Sequence, residues 1–395
     1  MAEFTHLHGH SFHSNALQPD ALSSPKDIVK RAKELGMTQI ALTDHGSISG
    51  IPDFVKAAAK EGIKPIVGSE LYVCSDPAWR PARKGEETAE KSEEGRRSDY
   101  SHCVALCHNW EGFQELCTLL SRANSDPNFY YRPRNSFDDI KATKHITYTT
   151  ACAGGILKRP DHEAVLVDLL SALGPDRLHL EIQPHMDDGQ DVVNRRAVEM
   201  QQKLGLRLVA AQDYHYARPG DHETHEVLLA IGAKKSWGDP DRWKYPVDDL
   251  FIKTKAEMVK AFLPHVQAGN LTLAHVAEAI NNAEAIGDRM NFEWHDLPVS
   301  LPDMGADPLG QLARMCLDAA RARGLDTRRE YVERLVYEMG VIRDCGFVAY
   351  FLVLAEIIAW CRKNGIMVGP GRGSSGGSLV CWLIGITQID PLKHG

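Results

Sequence analysis

The feature that most constrains the fold is an alternation that runs through the first 216 residues. Seven short β-rich runs, at residues 4–10, 39–43, 64–73, 102–106, 145–150, 177–183 and 206–212, are interleaved with Ala/Leu/Lys-rich segments such as 25–35 and 51–61. In those segments the apolar residues recur at helical spacing. Strand–helix alternation repeated this often implies an α/β fold with a parallel sheet, and seven repeats point to a barrel rather than a small open sheet. No sequence repeat of fixed period accompanies it. Beyond residue 216 the pattern turns mostly helical. Three prolines between Asp296 and Pro308 read as a linker, and a second helical stretch from 307 to 365 leads into a glycine cluster and an apolar segment, 379–386.

A chain of 395 residues suggests two or three domains. Its 45 basic against 53 acidic side chains, net −8, argue against a general nucleic-acid coat but leave room for a local basic groove. Nine scattered cysteines without a C-x-x-C pair fit neither a disulfide framework nor a zinc ribbon, which points to a reduced, cytoplasmic chain. The first 20 residues lack a signal-peptide pattern, and the longest apolar stretch, 347–361, is short and interrupted by Glu356, so no membrane partner is expected. Residues 75–100 carry many charges of both signs, and read either as a solvated loop or as a lid over a neighbouring site.

Metal-capable side chains gather at the ends of these runs. The first contains His6, His8 and His10, which period two places on one face. The second ends in Asp44-His45, the third contains Glu70, the fourth opens at His102, the fifth stops at Cys152 and the seventh ends in Asp213-Tyr214-His215. Strand ends that converge on one rim would bring them into a single bowl, where active sites of barrels lie. Any one of them alone fits a hydrogen-bonded core residue or a small buried thiol. Together, so many buried imidazoles and carboxylates need a counter-charge, and metal ions supply one.

In this order the residues His8-x-His10, Thr43-Asp44-His45, Glu70, His102, Cys152 and Asp213-x-His215 resemble the polymerase and histidinol phosphatase (PHP) domain, in the version found at the N-terminus of the alpha subunits of C-family bacterial replicative DNA polymerases. The stretch Ser14–Asp20 matches the end of that family's first motif and is about three residues longer. The resemblance implies a PHP-type distorted (βα)7 barrel. It also implies nine ligands that double as the catalytic set: His8, His10, Asp20, His45, Glu70, His102, Cys152, Asp213 and His215. His6, Asp44 and His185 fall outside the nine. Five imidazoles, three carboxylates and a thiol would hold up to three divalent ions, Zn, Mn or Fe rather than an all-oxygen Mg or Ca site. Such ions lower the pKa of water, clamp a phosphate oxygen and stabilise a leaving alkoxide, which is phosphoester hydrolysis. The implied activity is 3′→5′ exonuclease proofreading.

The glycine cluster Val368-Gly369-Pro370-Gly371-Arg372-Gly373-Ser374-Ser375-Gly376-Gly377-Ser378 is neither a Walker A loop nor a G-x-G-x-x-G turn. Alone it reads equally as a phosphate cradle or a flexible connector. As a cradle, Gly371, Arg372, Gly373, Ser374, Ser375 and Ser378 would meet the anion, with the following helix aiming its positive end at it. Its surroundings, 350–360, Asn364-Gly365 and 385–392, resemble the palm entry of the same polymerases, where the Gly373-Ser374 element is implied to hold the triphosphate of an incoming dNTP. A third matching stretch, 225–231, is expected to pack below the barrel.

The resemblance divides the chain into a PHP domain at 1–240, a helical connection at 241–305 and the start of a palm at 306–395. The family's acidic palm triplet, which needs Mg, would follow Gly395. The chain is therefore expected to be the N-terminal piece of a DNA polymerase, with a C-terminal half in the same chain or in trans. Asp390 is expected to be structural. DNA primer-template, dNTP, a sliding clamp and other replisome subunits are the implied partners. Arg132 and Arg134 fit either a surface turn or a guide for a DNA end. The rival readings are a free-standing phosphoesterase acting on a small phosphate ester, and a catalytically silent, metal-stabilised assembly platform.

Overall fold

The computed structural model describes residues 4–17, 19–80, 100–296 and 300–394. Most of the charged stretch expected to be a loop or lid, residues 81–99, lies outside the described residues. The chain divides into two compact units, residues 1–295 and 296–395.

The first unit is α/β, with a sheet curled into a half-barrel. Its strands are β1 (Gln39–Leu42), β2 (Lys64–Cys74), β3 (Ser101–Cys107), β4 (Arg134–Ser136), β5 (Ile146–Thr149), β6 (Leu178–Ile182) and β7 (Arg207–Ala210). They are ordered β1-β2-β3-β5-β6-β7, with β4 paired to β2. Every strand position of β1, β5 and β6 is buried, including the polar Gln39, Thr147, Thr149, His179 and Glu181, so burial on both faces takes in polar as well as apolar side chains.

Two expectations from the sequence need correcting. The sheet is not wholly parallel, because β3 runs antiparallel to both β2 and β5. Residues 4–10 also form no regular strand: the chain bends at His8 and makes one bridge, Gly9 to Tyr214. Gly9 passes so close under the Tyr214 ring that an added Cβ would lie 2.1 Å from its Cε1. The segment still fills a strand's place, since His6 and Gly9 carbonyls accept from Ala41 and Thr43 on one side while the His10 amide donates to the Tyr214 carbonyl on the other.

Helices cover the sheet where caps and apolar stripes coincide. Helix α1 (Pro25–Glu34) starts with the Ser24 hydroxyl accepting from Asp27 N and Pro25 in the first turn, and buries Ile28, Val29 and Ala32. Helix α2 (Ile51–Glu61) buries Ile51, Phe54 and Ala58, and ends on Gly62 in the left-handed conformation. Helices α3 (Trp110–Ala123), α4 (Phe137–Lys141), α5 (His162–Leu173) and α6 (Asp188–Leu204) follow. Then α7 (His222–Gly232), α8 (Lys255–Gln267) and α9 (Leu273–Arg289) complete the unit, with an irregular strap, residues 233–254, between α7 and α8. One apolar core joins Ile28, Phe54, Ile66, Val104, Leu180 and Leu208 to Phe262 and Ile280 of α8 and α9.

The second unit is helical: α10 (Pro308–Ala322), α11 (Arg329–Asp344), α12 (Val348–Lys363), α13 (Leu379–Leu383) and α14 (Pro391–His394). Its core is Leu312, Cys316, Tyr331, Ile342, Leu352, Leu379 and Leu383. Asp390 is buried, accepting from the Tyr331 hydroxyl at 2.8 Å and the Leu392 amide at 3.0 Å, a structural role. Among the described residues, no helix is long and apolar enough to cross a membrane.

Candidate metal centre

Each element of the first unit delivers its donor for a local reason. His8 and His10 come from the bent segment beside Tyr214, and His45 from the loop after β1. Pairing of β2 with β1 stops at Val67, so Glu70 lies past the end of β1. Because β3 is antiparallel, its start rather than its end lies at that rim, which is why His102 opens a strand while the others follow one. Cys152 follows β5 and Asp213 follows β7. Ala151 and Asp213 adopt left-handed backbone, φ 57° and 54°, a conformation that costs energy for residues with a Cβ and that clusters at functional sites.

The nine side chains expected as ligands converge on one cavity. His10 Nε2 lies 3.1 Å from Asp213 Oδ1 and 3.4 Å from Glu70 Oε2. His8 Nε2 lies 3.5 Å from Asp213 Oδ1, and Glu70 is reached by His45 Nδ1 at 2.6 Å and His102 Nδ1 at 2.7 Å. Cys152 Sγ lies 3.6 Å from His102 Nδ1. Asp20 Oδ2 lies 3.4 Å from His45 Nε2 and 3.9 Å from His215 Nε2. Three sets of donors, His10/His45/His215, His8/His10/Asp213 and Glu70/His102/Cys152, each lie within 4.8 Å of one another. The cavity beside them encloses about 270 Å³.

The fit to metal ions rests on what these atoms lack. His8 Nε2, His10 Nε2, both His45 nitrogens, Asp20 Oδ1, Glu70 Oε2 and Asp213 Oδ1 are buried without a hydrogen-bond partner, although these imidazole nitrogens lie only 2.6–3.6 Å from carboxylate oxygens. Buried polar atoms normally find a partner. Lone pairs that face one another at short range without hydrogen-bond geometry suit a shared cation. Divalent metals fit this donor set.

Charge follows the same logic. Burial and the neighbouring His45 and His215 push His10 down to about 3, so it is neutral, the form a metal needs. Burial would raise Asp20, but the imidazole of His45 outweighs it and holds the carboxyl at about 2. Burial likewise opposes ionisation of Glu70, and His102, His45 and His8 overcome it, leaving its pKa well below the carboxylate range. The Cys152 thiol is pushed up by burial and by the Glu70 and Asp213 carboxylates.

A surrounding layer of residues holds the donors in place, and the sequence did not reveal most of it. Glu181 in β6 accepts from His8 Nδ1 at 2.8 Å, from Gln183 Nε2 at 2.7 Å and from the Thr149 hydroxyl. It looked like one more residue of a strand. Asp44, outside the nine, accepts from the Ser11 amide at 2.7 Å and from the Ser14 hydroxyl at 2.9 Å; that hydroxyl meets His10 Nδ1 at 3.2 Å. His6 turns away, its Nε2 on the Lys253 carbonyl at 2.8 Å, because the bend at His8 breaks the period of two. His185 lines the cavity wall, with Nε2 on the Gln212 carbonyl at 2.8 Å. The Tyr245 hydroxyl, from the strap, lies 3.0 Å from His215 Nε2 and 3.3 Å from Asp20 Oδ2.

Two further expectations change. Helix α7 does not pack below the barrel: His225 Nε2 donates to the Asp20 carbonyl at 2.6 Å, beside the site, and so fixes the backbone of the loop that carries Asp20. Arg134 is no guide for DNA, because it is buried and donates to the Pro77, Trp79 and Asn128 carbonyls. Arg132 lies over the Tyr72 ring at 5.8 Å.

In the second unit Gly371, Arg372, Gly373 and Ser374 are exposed, and nothing lies within 4 Å of a Cβ placed on Gly373, Gly376 or Gly377. The Ser375 hydroxyl donates to the Arg372 carbonyl at 2.6 Å. The start of α13 is not free for an anion, however. Glu338 of α11 already occupies it, accepting from the Leu379 and Val380 amides at 3.0 Å each and from the Ser378 hydroxyl at 2.8 Å. Ser378 is therefore committed to the protein's own carboxylate, and the exposed face of the loop runs from Gly371 to Ser374.

Comparison with known proteins agrees with this architecture. Residues 6–185 match the PHP domain, and residues 310–395 match the bacterial DNA polymerase III alpha NTPase domain. The DNA polymerase III subunit alpha of Thermus aquaticus is 32% identical over 100% of this chain and 36% of its own length. That of Aquifex aeolicus (strain VF5) is 33% identical over 100% of this chain and 34% of its own. A solved amidohydrolase from Chromobacterium violaceum, with bound sulfate and no metal, is 18% identical over 53% of this chain and 87% of its own, with a TM-score of 0.34. The chain spans about a third of the length of the curated relatives it matches. With both domain types in order along one chain and relatives aligned along its whole length, the protein belongs to the family of DNA polymerase III alpha subunits.

Proposed function

We propose that the first unit is a metal-dependent 3′→5′ exonuclease, hydrolysing phosphodiesters of a DNA end, within a cytoplasmic, template-directed DNA polymerase. The observation that carries the reading is the set of buried, unpartnered donor atoms facing one another in a single cavity. His8, His10 and Asp213 would hold one ion, Glu70, His102 and Cys152 a second, and His45 and His215 with His10 or Asp20 a third. This mixed N/O/S set favours Zn, Mn or Fe. When bound, such ions supply Lewis-acid polarisation of a phosphate oxygen and a nucleophile derived from water. The protein's own part is orientation: Glu181 fixes the His8 ring, Asp44 through Ser14 fixes His10, and His225 fixes the Asp20 backbone.

In the second unit, residues 306–395 would open the polymerase palm, with the exposed Gly371–Ser374 face and Arg372 receiving the triphosphate of a dNTP. Polymerisation, with Mg, primer-template and clamp, belongs to the longer enzyme. The family match along the whole chain speaks against a free-standing phosphoesterase for small esters.

The test uses 5′-end-labelled single-stranded and mispaired DNA with Mn²⁺ or Zn²⁺, beside a His8→Ala, His10→Ala double variant. Stepwise shortening that the double variant abolishes is the expected result. No shortening by protein that still carries metal on elemental analysis would replace the exonuclease by a metal-stabilised platform.

A further inference from the structure

The cavity has two unlike walls. One is the donor set; the other is the strap between α7 and α8, which contributes Trp243, Tyr245, Pro246 and Val247. The proposed hydrolysis accounts for the first wall and, apart from the Tyr245 hydroxyl, leaves the second without a role. The strap is irregular, yet it is pinned at both ends. Arg242 is buried, 2.5 Å from Glu226 of α7, with its guanidinium 4.9 Å over the Trp237 ring. At the other end the Leu250 carbonyl accepts from the His215 amide at 2.9 Å, and the Asp249 carbonyl accepts from Gln212 Nε2 at 2.6 Å. Two buried anchors on either side of a short span hold its aromatic residues in fixed positions.

Between those anchors Tyr245 points inward. Its ring stacks on His225 at 5.7 Å and 22°, and its hydroxyl reaches His215 Nε2 and Asp20 Oδ2. Trp243 packs edge-on against Tyr245 at 4.7 Å and 65°, remaining 51% exposed at the mouth of the same cavity. Its half-exposed indole offers an accessible π-face, and it is held at the mouth of the cavity beside the donors, next to the place where a phosphate would sit. The ligand that satisfies both walls has an anionic ester at one end and a flat π-system a few bonds away. A nucleotide is that ligand, and every base offers a π-face.

We infer that Trp243, supported by Tyr245, forms the subsite for the base of the 3′-terminal nucleotide, so that the strap sets the substrate class. The inference rests on the nuclease reading for its substrate, but the subsite is tested by binding and not by hydrolysis. A stacking platform makes the site sequence-tolerant and dependent on there being a base. Base–aromatic stacking corresponds to about a 5- to 150-fold change in affinity.

The experiment uses the full chain loaded with Mn²⁺ and two 5′-fluorescein single-stranded oligonucleotides, identical except that one ends in a 3′ tetrahydrofuran abasic residue. Both carry a terminal phosphorothioate linkage to slow cleavage, and Kd is read by fluorescence anisotropy. The expected ratio of Kd, abasic over base-bearing, is about 5 to 150 in the wild type, near one in Trp243→Ala and largely retained in Trp243→Phe. A wild-type ratio near one, or a ratio that Trp243→Ala leaves unchanged, overturns the subsite. If the ratio behaves as expected while unprotected DNA is never shortened, the exonuclease reading falls and the base subsite stands.

Discussion

Glu181 offers the sharpest test of how the centre is built, because it touches a donor without being one. Its carboxylate is 1% exposed, accepts from His8 Nδ1 at 2.8 Å, and takes Gln183 and Thr149 as its other donors. Replacing it by alanine would leave three buried donors unpaired at once and confuse affinity with folding. Glu181→Gln is cleaner. The amide oxygen can keep His8 and Gln183, and the amide NH2 can turn to Thr149, whose hydroxyl rotates to accept. What is lost is the negative charge that makes His8 a stronger ligand through its other nitrogen. Loss of such an orienting partner weakens metal binding by about 10- to 100-fold, or about 1.4 to 2.7 kcal/mol.

The assay is titration of Zn²⁺ against a competing chromogenic chelator, with melting curves of chelated and metal-loaded protein alongside. Kd should rise 10- to 100-fold, in the range typical of such substitutions. The Tm of the chelated variant should stay within about 2 °C of wild type, while the rise in Tm on adding metal should shrink by about 3 to 8 °C. An unchanged Kd would refute the role given to Glu181. So would a chelated variant destabilised as much as the loaded one, since that would make Glu181 a packing residue only.

Two other expectations concern residues away from the donors. Glu338→Ala should cost about 2 to 4 kcal/mol in urea denaturation and Glu338→Gln about half of that, because the carboxylate holds two amides and a hydroxyl at the start of α13; a cost for alanine below about 0.5 kcal/mol would count against it. His179 titrates: burial, reinforced by Arg289, pushes it down to about 4. The unfolded ring takes up its proton below about pH 6.5 and the folded ring only near 4, so stability is full above pH 6.5 and is lost as pH falls through that window. Between pH 7 and pH 5 this group accounts for about 2 kcal/mol, and His179→Leu should lose correspondingly less stability over that interval; equal losses in both proteins would show that the ring is not the source.

Much of this was legible in the sequence, and what was not has physical causes. Six of the seven strand runs were readable because their residues are buried on both faces, which concentrates apolar and β-branched side chains. Strand direction was not readable, because a run of buried residues looks the same in either sense; hence β3 was taken as parallel. His6 was grouped with His8 and His10 because a period of two assumes an unbroken strand, and the bend at His8 ends that assumption. The donors themselves were visible because few roles other than metal binding bring so many imidazoles to strand ends. Glu181 was not, since a lone carboxylate within a strand pattern carries no local mark of its partner 173 residues earlier. Tyr245 lay in a stretch without periodicity, where aromatic residues give no hint of what they face.

The buried carboxylates show how structure separates a scaffold from a reactive centre. Asp44 is met by Ser11 and Ser14, Asp390 by Tyr331 and the Leu392 amide, and Glu338 by two amides, a serine and the Arg334 guanidinium at 2.6 Å. Their charge is answered inside the protein, and each holds a turn or a helix start in place. Glu70, Asp20 and Asp213 are buried as deeply, yet each keeps an oxygen with no hydrogen bond, and those of Glu70 and Asp213 lie 2.6–3.5 Å from imidazole nitrogens in the same condition. Leaving a buried carboxylate oxygen unsatisfied costs more than leaving a neutral one. Elsewhere among the described residues Asp191 keeps one such oxygen, 3.2 Å from His265 Nδ1, but three of them in one cavity, among imidazole nitrogens in the same condition, are hard to explain by packing. A fold arranged only for its own stability would have supplied the missing donors. These oxygens are instead left for a cation, which ties the PHP unit's shape to the chemistry it can perform.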